Sequence, residues 1–241
     1  SAATHLAPVS LELGGKGANI VFEDADIDNA IHWAVEAIFR NAGQICLAGS
    51  RLFVHSSLYE SFMERFVAAA EALTIGDPFD PATKFSSLAS KRHFDKVASY
   101  VESARELGGT IRTGGVAEDG SWVVRPTIID GLALDAAPYC EEIFGPVCVV
   151  NSFDTEEEVV HLANDTRYGL NAMLFTENLS RAHRVASKLR AGTVWVNCFF
   201  IRDLRTPFGG VGDSGVGREG GNFSREFFTE PKAVVMQIDR G

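Results

Sequence analysis

Segments whose apolar residues recur at helical spacing alternate along this chain with short apolar runs of strand length. That alternation restricts the fold to the α/β class, with a mainly parallel sheet and helices on both faces. Ile31, Ala34, Val35 and Ile38 mark a helix from Asp26, its N-cap, to Arg40, and RLFVH (Arg51 to His55) follows as a strand. Ser57 and Glu60 give a capping-box signature ahead of a helix faced by Leu58, Phe62, Phe66, Val67, Ala70 and Leu73. A further helix is predicted from Lys91 to Leu107, stopped by Gly108 and Gly109, after which TIRTGG reads as a strand and turn. Asp154 is expected to cap a helix through Leu162. NAMLF (Asn171 to Phe175) and TVWVN (Thr193 to Asn197) read as strands on either side of a helix faced by Leu179, Ala182, Val185, Ala186 and Leu189 and ended by Gly192. KAVVMQI (Lys232 to Ile238) is strand-like with no helix after it, and is expected to pair outside its domain.

With 241 residues, 46% of them hydrophobic, the chain can bury one sizeable core. No run approaches the roughly 18 apolar residues of a membrane span, and no basic stretch precedes an apolar one at the start. The formal charge of -10 argues against nucleic acid as a partner, because phosphate backbones are bound by neutralising lysines and arginines. Cys46, Cys140, Cys148 and Cys198 show neither CxxC pairing nor zinc-ligand spacing, which speaks against a disulfide framework or a metal site and for a reducing, cytoplasmic setting. In that setting a lone cysteine is more often a small buried hydrophobe than a nucleophile.

GQICLAGSR (Gly43 to Arg51) surrounds Cys46 with small residues in the connection between a helix and a strand. Small neighbours admit a carbonyl to the sulfur and leave backbone N–H groups for a developing oxyanion, but the same residues also describe a tight turn over a buried thiol. Glu12, in the strand-like LELGGK (Leu11 to Lys16), tips the balance, since an unpaired acid in an apolar run is costly unless it has a task or a partner. The GxGxxG at Gly210, Gly212 and Gly215 lacks a preceding apolar strand and a following helix, so it reads as glycine-rich loop structure.

LELGGK and GQICLAGSR, in this order and spacing, resemble the two signature segments of the aldehyde dehydrogenase superfamily. The resemblance continues through EEIFGPV (Glu141 to Val147) and TPFGGVGDSGVGREGG (Thr206 to Gly221) and covers essentially the whole chain. It implies that Cys46 attacks an aldehyde, that hydride passes to a nicotinamide, and that Glu12 activates the water that hydrolyses the thioester. It further implies that Glu142 holds the nicotinamide ribose, with Phe144, Leu13 and Gly14 beside the cofactor and Ile45, Leu47 and Phe208 beside the substrate. The implied cofactor is NAD, with NADP as the alternative, and the implied assembly is a homodimer or homotetramer. A complete member of the family is longer, and its first half supplies most of the dinucleotide-binding fold. This chain is therefore expected to hold the last piece of the cofactor domain (1–14), the catalytic domain (15–211), a segment returning toward the cofactor domain (212–231) and an oligomerisation strand (232–241).

Val196 to Gly210, VNCFFIRDLRTPFGG, is similar to the branch acting on 2-hydroxymuconic and 2-aminomuconic semialdehydes. The resemblance implies that Arg202 grips the carboxylate at the far end of such a substrate, as a guanidinium among Phe199, Phe200, Ile201 and Phe208 is suited to do. The competing assignments are a surface arginine paired with Asp203, a general aliphatic, aromatic or betaine aldehyde dehydrogenase, and a noncatalytic scaffold. Cys46 and Glu12 speak against the scaffold, and Glu12 against an acylating enzyme that transfers to coenzyme A.

Overall fold

The computed structural model describes residues 1–117 and 120–238. Its strands are β1 (Leu11–Glu12), β2 (Ala18–Val21), β3 (Arg51–His55), β4 (Thr110–Val116), β5 (Val124–Asp130), β6 (Val147–Phe153), β7 (Asn171–Phe175), β8 (Thr193–Val196) and β9 (Gly215–Val216). The α-helices are α1 (Ile27–Phe39), α2 (Tyr59–Glu71), α3 (Lys91–Glu106), α4 (Ala137–Cys140), α5 (Glu156–Asn164), α6 (Leu179–Lys188) and α7 (Gly221–Phe228). Seven strands make one sheet in the order β4-β5-β6-β3-β2-β7-β8, parallel throughout except for β4 against β5. The steps from β2 to β3 and from β7 to β8 run in opposite directions, so right-handed crossovers put α1 and α6 on opposite faces. α2 packs on α1, and α5 on α6. Ile20, Val21, Phe53, Val54, Val149, Met173 and Leu174 are buried along the central strands, which explains their continuous apolar runs.

Several local signals resolve differently from the sequence reading. Ser57 does not cap α2; its hydroxyl meets His55 Nδ1 at 2.8 Å, and a 3-10 turn over Ser56–Leu58 enters the helix. Thr155 rather than Asp154 caps α5, accepting from the Glu158 N–H at 3.2 Å, while the Asp154 carboxylate takes the Ser56 hydroxyl. TIRTGG is not a strand and turn, because Gly114 and Gly115, at φ +90 and +99, stay inside β4 as an irregularity. Opposite it lies Pro126, which has no N–H to give the ladder, and the bulge absorbs that loss. Residues 232–238 form no strand, and Val234, Val235, Met236 and Ile238 are exposed. Residues 239–241 of the expected arm lie outside the described residues.

β1 and β9 form a separate antiparallel ribbon, pairing Leu11 with Val216 and Glu12 with Gly215. The segments carrying Glu12, Cys46 and Glu142 enter β2, β3 and β6 respectively, so they gather at the amino ends of the parallel strands. Open parallel sheets commonly receive ligands at the carboxyl ends. Among the described residues no helix is long and apolar enough to cross a membrane.

Candidate active site

Two adjacent glycines let three segments close on one another. A side-chain carbon at Gly14 would overlap the Glu142 carboxylate, and one at Gly15 would stand 2.6 Å from the Cys46 carbonyl oxygen. The Gly15 N–H donates to Glu142 Oε1 at 3.0 Å. LELGGK thus passes between the loop of Cys46 and the loop of Glu142, at distances only glycine allows. Cys46 reaches this position because the chain turns sharply after α1. Asn41 and Ala42 are both left-handed at φ +54, a conformation costing about 1–3 kcal/mol at each non-glycine residue, and the Asn41 amide holds the turn by donating to the Gln44 carbonyl at 2.9 Å. α3 positions the third segment: His93 Nε2 donates to the Phe144 carbonyl at 2.7 Å and Lys96 Nζ to that of Glu142 at 3.2 Å. Phe144 is held at φ +60 with its residue 37% exposed.

The Cys46 thiol is half-buried, and its pKa lies above the usual thiol value, not below it as an activated nucleophile would require. Desolvation raises it most, and the charges of Glu12 and Glu142 raise it further, while hydrogen bonds from the Cys46 and Leu47 backbone pull it down. Leu47 itself is buried in the core, so it meets the site through its backbone, whereas Ile45 is half-buried beside Cys46. Glu12 is exposed rather than sunk in an apolar strand, because β1 pairs only with β9; Leu13 beside it is exposed as well. The Glu12 carboxyl pKa is nevertheless raised, by desolvation first and by Glu219 second, with Arg218 opposing.

Glu219 escaped the sequence reading because it lies in the segment taken as glycine loop; an acid following two glycines and an arginine was the available signal. It lines a cavity of about 340 Å³ with Glu12 and Arg218, and also a cavity of about 710 Å³ with Trp195, Phe200, Arg202 and Phe208. The Glu12 side and the Arg202 side are therefore neighbours through Glu219. Asp203 is engaged by Arg205, donating through Nε at 2.9 Å, so the expected alternative pairing of Arg202 with Asp203 does not form. The Arg202 guanidinium instead lies 5.4 Å from the ring centroids of both Phe200 and Phe208.

The deeply buried charge in LELGGK is Lys16, 2% exposed, whose Nζ donates to the Pro138 carbonyl at 2.8 Å. Burial, and the Arg51 guanidinium beside it, push its pKa down to about 7. Between that value and the ordinary lysine range the unfolded chain binds a proton that the folded chain has shed, so stability rises with pH there; below pH 7 both states are protonated and this slope vanishes. Lys16→Met is expected to remove about 2 kcal/mol of the stability gained between pH 7 and pH 9 in urea titrations. An unaltered gain in the variant would disprove it.

Interlocked Cys and Glu loops on a parallel sheet define the chain's class, and comparison with known proteins bears this out. Residues 1–234 match the aldehyde dehydrogenase family, and the chain belongs to that family. It is 50% identical over 245 residues to 2-hydroxymuconic semialdehyde dehydrogenase of Pseudomonas sp. (strain CF600), covering 99% of this chain and 50% of that protein. It is 46% identical over 247 residues to a 2-aminomuconic 6-semialdehyde dehydrogenase of Pseudomonas sp., covering 100% of this chain and 50% of the relative. Its fold superposes on an NAD+ complex of aldehyde dehydrogenase from Bacillus cereus with a TM-score of 0.94 and 41% identity, covering 99% of this chain and 49% of the other. The chain thus spans about half the length of the relatives it matches.

Proposed function

We propose that this chain is the catalytic part of an NAD-dependent dehydrogenase that oxidises 2-hydroxymuconic semialdehyde, or its 2-amino analogue, to the carboxylic acid. The observation that carries the reading is the closure of the Cys46 and Glu142 loops on the Gly14–Gly15 backbone, two residues along from Glu12, whose charge reaches the Cys46 thiol. In this reading the Cys46 sulfur adds to the aldehyde carbon, and the Cys46 and Leu47 backbone groups that already favour negative charge steady the developing anion. Loss of hydride from the thiohemiacetal so formed, to a bound nicotinamide, would leave a thioester on Cys46, and Glu12, a carboxylate whose pKa is raised, takes a proton from the water that attacks it, releasing the acid and the Cys46 thiolate.

The residues present fit NAD. Glu142 gives one oxygen to Gly15, and its Oε2 makes no hydrogen bond among the described residues, which leaves an acceptor for ribose hydroxyls with no side chain at Gly14 in front of it. Phe144 presents an exposed ring two residues on. NAD bound there would supply the hydride acceptor. The names of the relatives support the semialdehyde, and the NAD+ complex supports the cofactor. A cytoplasmic enzyme accords with four free cysteines. The proposal includes self-association through the apolar residues exposed in 232–238, and division of the chain at the ribbon, outside which the seven-stranded sheet forms the catalytic unit.

Arg202 tests the choice of substrate. A charge-assisted contact to the far-end carboxylate contributes about 1.5–3 kcal/mol, so Arg202→Ala in the full-length protein is expected to lower kcat/KM for 2-hydroxymuconic semialdehyde about 10- to 150-fold relative to hexanal. Equal losses with both aldehydes, or none, would leave a general aldehyde dehydrogenase.

A further inference from the structure

The Cys46 loop is tied to the sheet by a side chain that the chemistry above does not use. Leu47 follows Cys46 in a turn and is 3% exposed, so its carbonyl is cut off from water. Among the described residues no backbone N–H reaches that carbonyl. Its partner is the amide of Asn171, the first residue of β7, whose Nδ2 donates to it at 3.1 Å. Asn171 is itself buried at the amino end of the sheet, one residue before the pairing of Ala172 with Ala18 of β2. Beside it, the segment that carries Glu12 runs on into Gly17. A side-chain carbon at Gly17 would stand 3.0 Å from both Asn171 Nδ2 and the Ala48 carbonyl oxygen, so the amide is enclosed between that segment and the Cys46 loop.

The orientation of the amide is set by its partner. Turned over, it would put Oδ1 against the Leu47 carbonyl, two acceptors with no proton between them. As it stands, Oδ1 is buried and makes no hydrogen bond among the described residues. An unpaired buried acceptor opposes folding, and a leucine of nearly the same shape would avoid it. Asparagine here is therefore explained by the bond it donates rather than by the space it fills. Leu47 is thereby engaged on both sides. Its carbonyl is held by Asn171, and its N–H favours the Cys46 thiolate against the larger, opposing effect of burial.

We infer that Asn171 is a positioning residue for the nucleophile: by holding the Leu47 carbonyl it aims the Leu47 N–H at the sulfur and keeps the Cys46 loop in place against the segment that carries Glu12. This rests on the reading of Cys46 as nucleophile given above.

The test compares Asn171→Leu with Asn171→Ala in the full-length protein. Leucine keeps the volume and loses the donor, whereas alanine loses both. A reacting atom misplaced by an ångström costs about 100-fold, so both variants are expected to slow the first burst of NADH from saturating hexanal about 10- to 100-fold, with KM within about twofold of wild type. Alkylation of Cys46 by iodoacetamide, followed on its own peptide without aldehyde or cofactor, is expected to slow about threefold or more at pH 8, because the thiolate loses support. Asn171→Leu should melt within a few degrees of wild type. A wild-type burst and a wild-type alkylation rate in Asn171→Leu would overturn the inference, since the side chain would then only fill space. Unchanged alkylation in both variants, with the burst falling only in step with the melting temperature, would overturn it as well. If Cys46→Ser stays active, the nucleophile reading falls and the positioning role with it, whereas a wild-type Asn171→Leu beside an inactive Cys46→Ser removes Asn171 alone.

Discussion

Cys46→Ser in the full-length protein is expected to lower aldehyde oxidation by about four orders of magnitude or more, because a hydroxyl cannot replace the sulfur as nucleophile under the same conditions. The exchange changes little else. Cys46 is half-buried, its backbone is held by the Gly43–Gln44 turn, and serine keeps nearly the same volume, so the melting temperature should move by only a few degrees. Cys198→Ala is the matched control, a half-buried thiol whose pKa is likewise raised by burial but, among the described residues, by no carboxylate. NADH formation followed at 340 nm decides the matter. Comparable activity in Cys46→Ser and wild type would remove the cysteine from the chemistry and return it to the tight-turn interpretation.

The second large effect belongs to Glu12. Replacing it by Gln is expected to slow steady-state turnover about 10²- to 10⁴-fold, the range of a lost general base, while the first burst of NADH survives because acylation of Cys46 precedes the step that needs water. The electrostatics add a signature of opposite sign. Glu12 is one of the two charges that raise the Cys46 pKa, so its removal should lower that pKa and speed alkylation by iodoacetamide at neutral pH. A variant slow in turnover yet quicker to alkylate has lost a base and not its fold. As the proposed base, Glu12 is also expected to set the acid limb of the pH profile. Its raised pKa shifts that limb upward from the ordinary glutamate value, with activity lost as pH falls through it, and Glu219→Gln, which takes away a raising charge, should move the limb to lower pH. Unchanged turnover in Glu12→Gln would end the assignment.

Much of this was legible in residue order. The periods of Ile31 to Ile38 and Leu179 to Leu189 gave α1 and α6, and the apolar runs at Arg51, Asn171 and Thr193 gave β3, β7 and β8, because each pattern records a face that packing must bury. Other elements were hidden by their own chemistry. β5 contains Pro126 and Arg125, which mark an edge or a loop until the bulge at Gly114 and Gly115 is seen to accommodate them. β6 begins on the last residue of EEIFGPV, whose functional signal masked a central strand. α2 lacks its expected cap because His55 reaches Ser57 first, a competition between neighbouring polar groups that a motif cannot express.

For the site, the roles proposed for Cys46, Glu12, Glu142 and Arg202 rest on residue type and motif, which are local properties. Their electrostatics and partners do not. That the Cys46 thiol pKa is raised by Glu12 and Glu142, and that Glu219 lines both the Glu12 and the Arg202 cavities, depend on residues far apart in the chain. Burial and charge act through space over a few ångströms, and which groups come within that reach is set by the packing of the sheet, its crossovers and its strained loops.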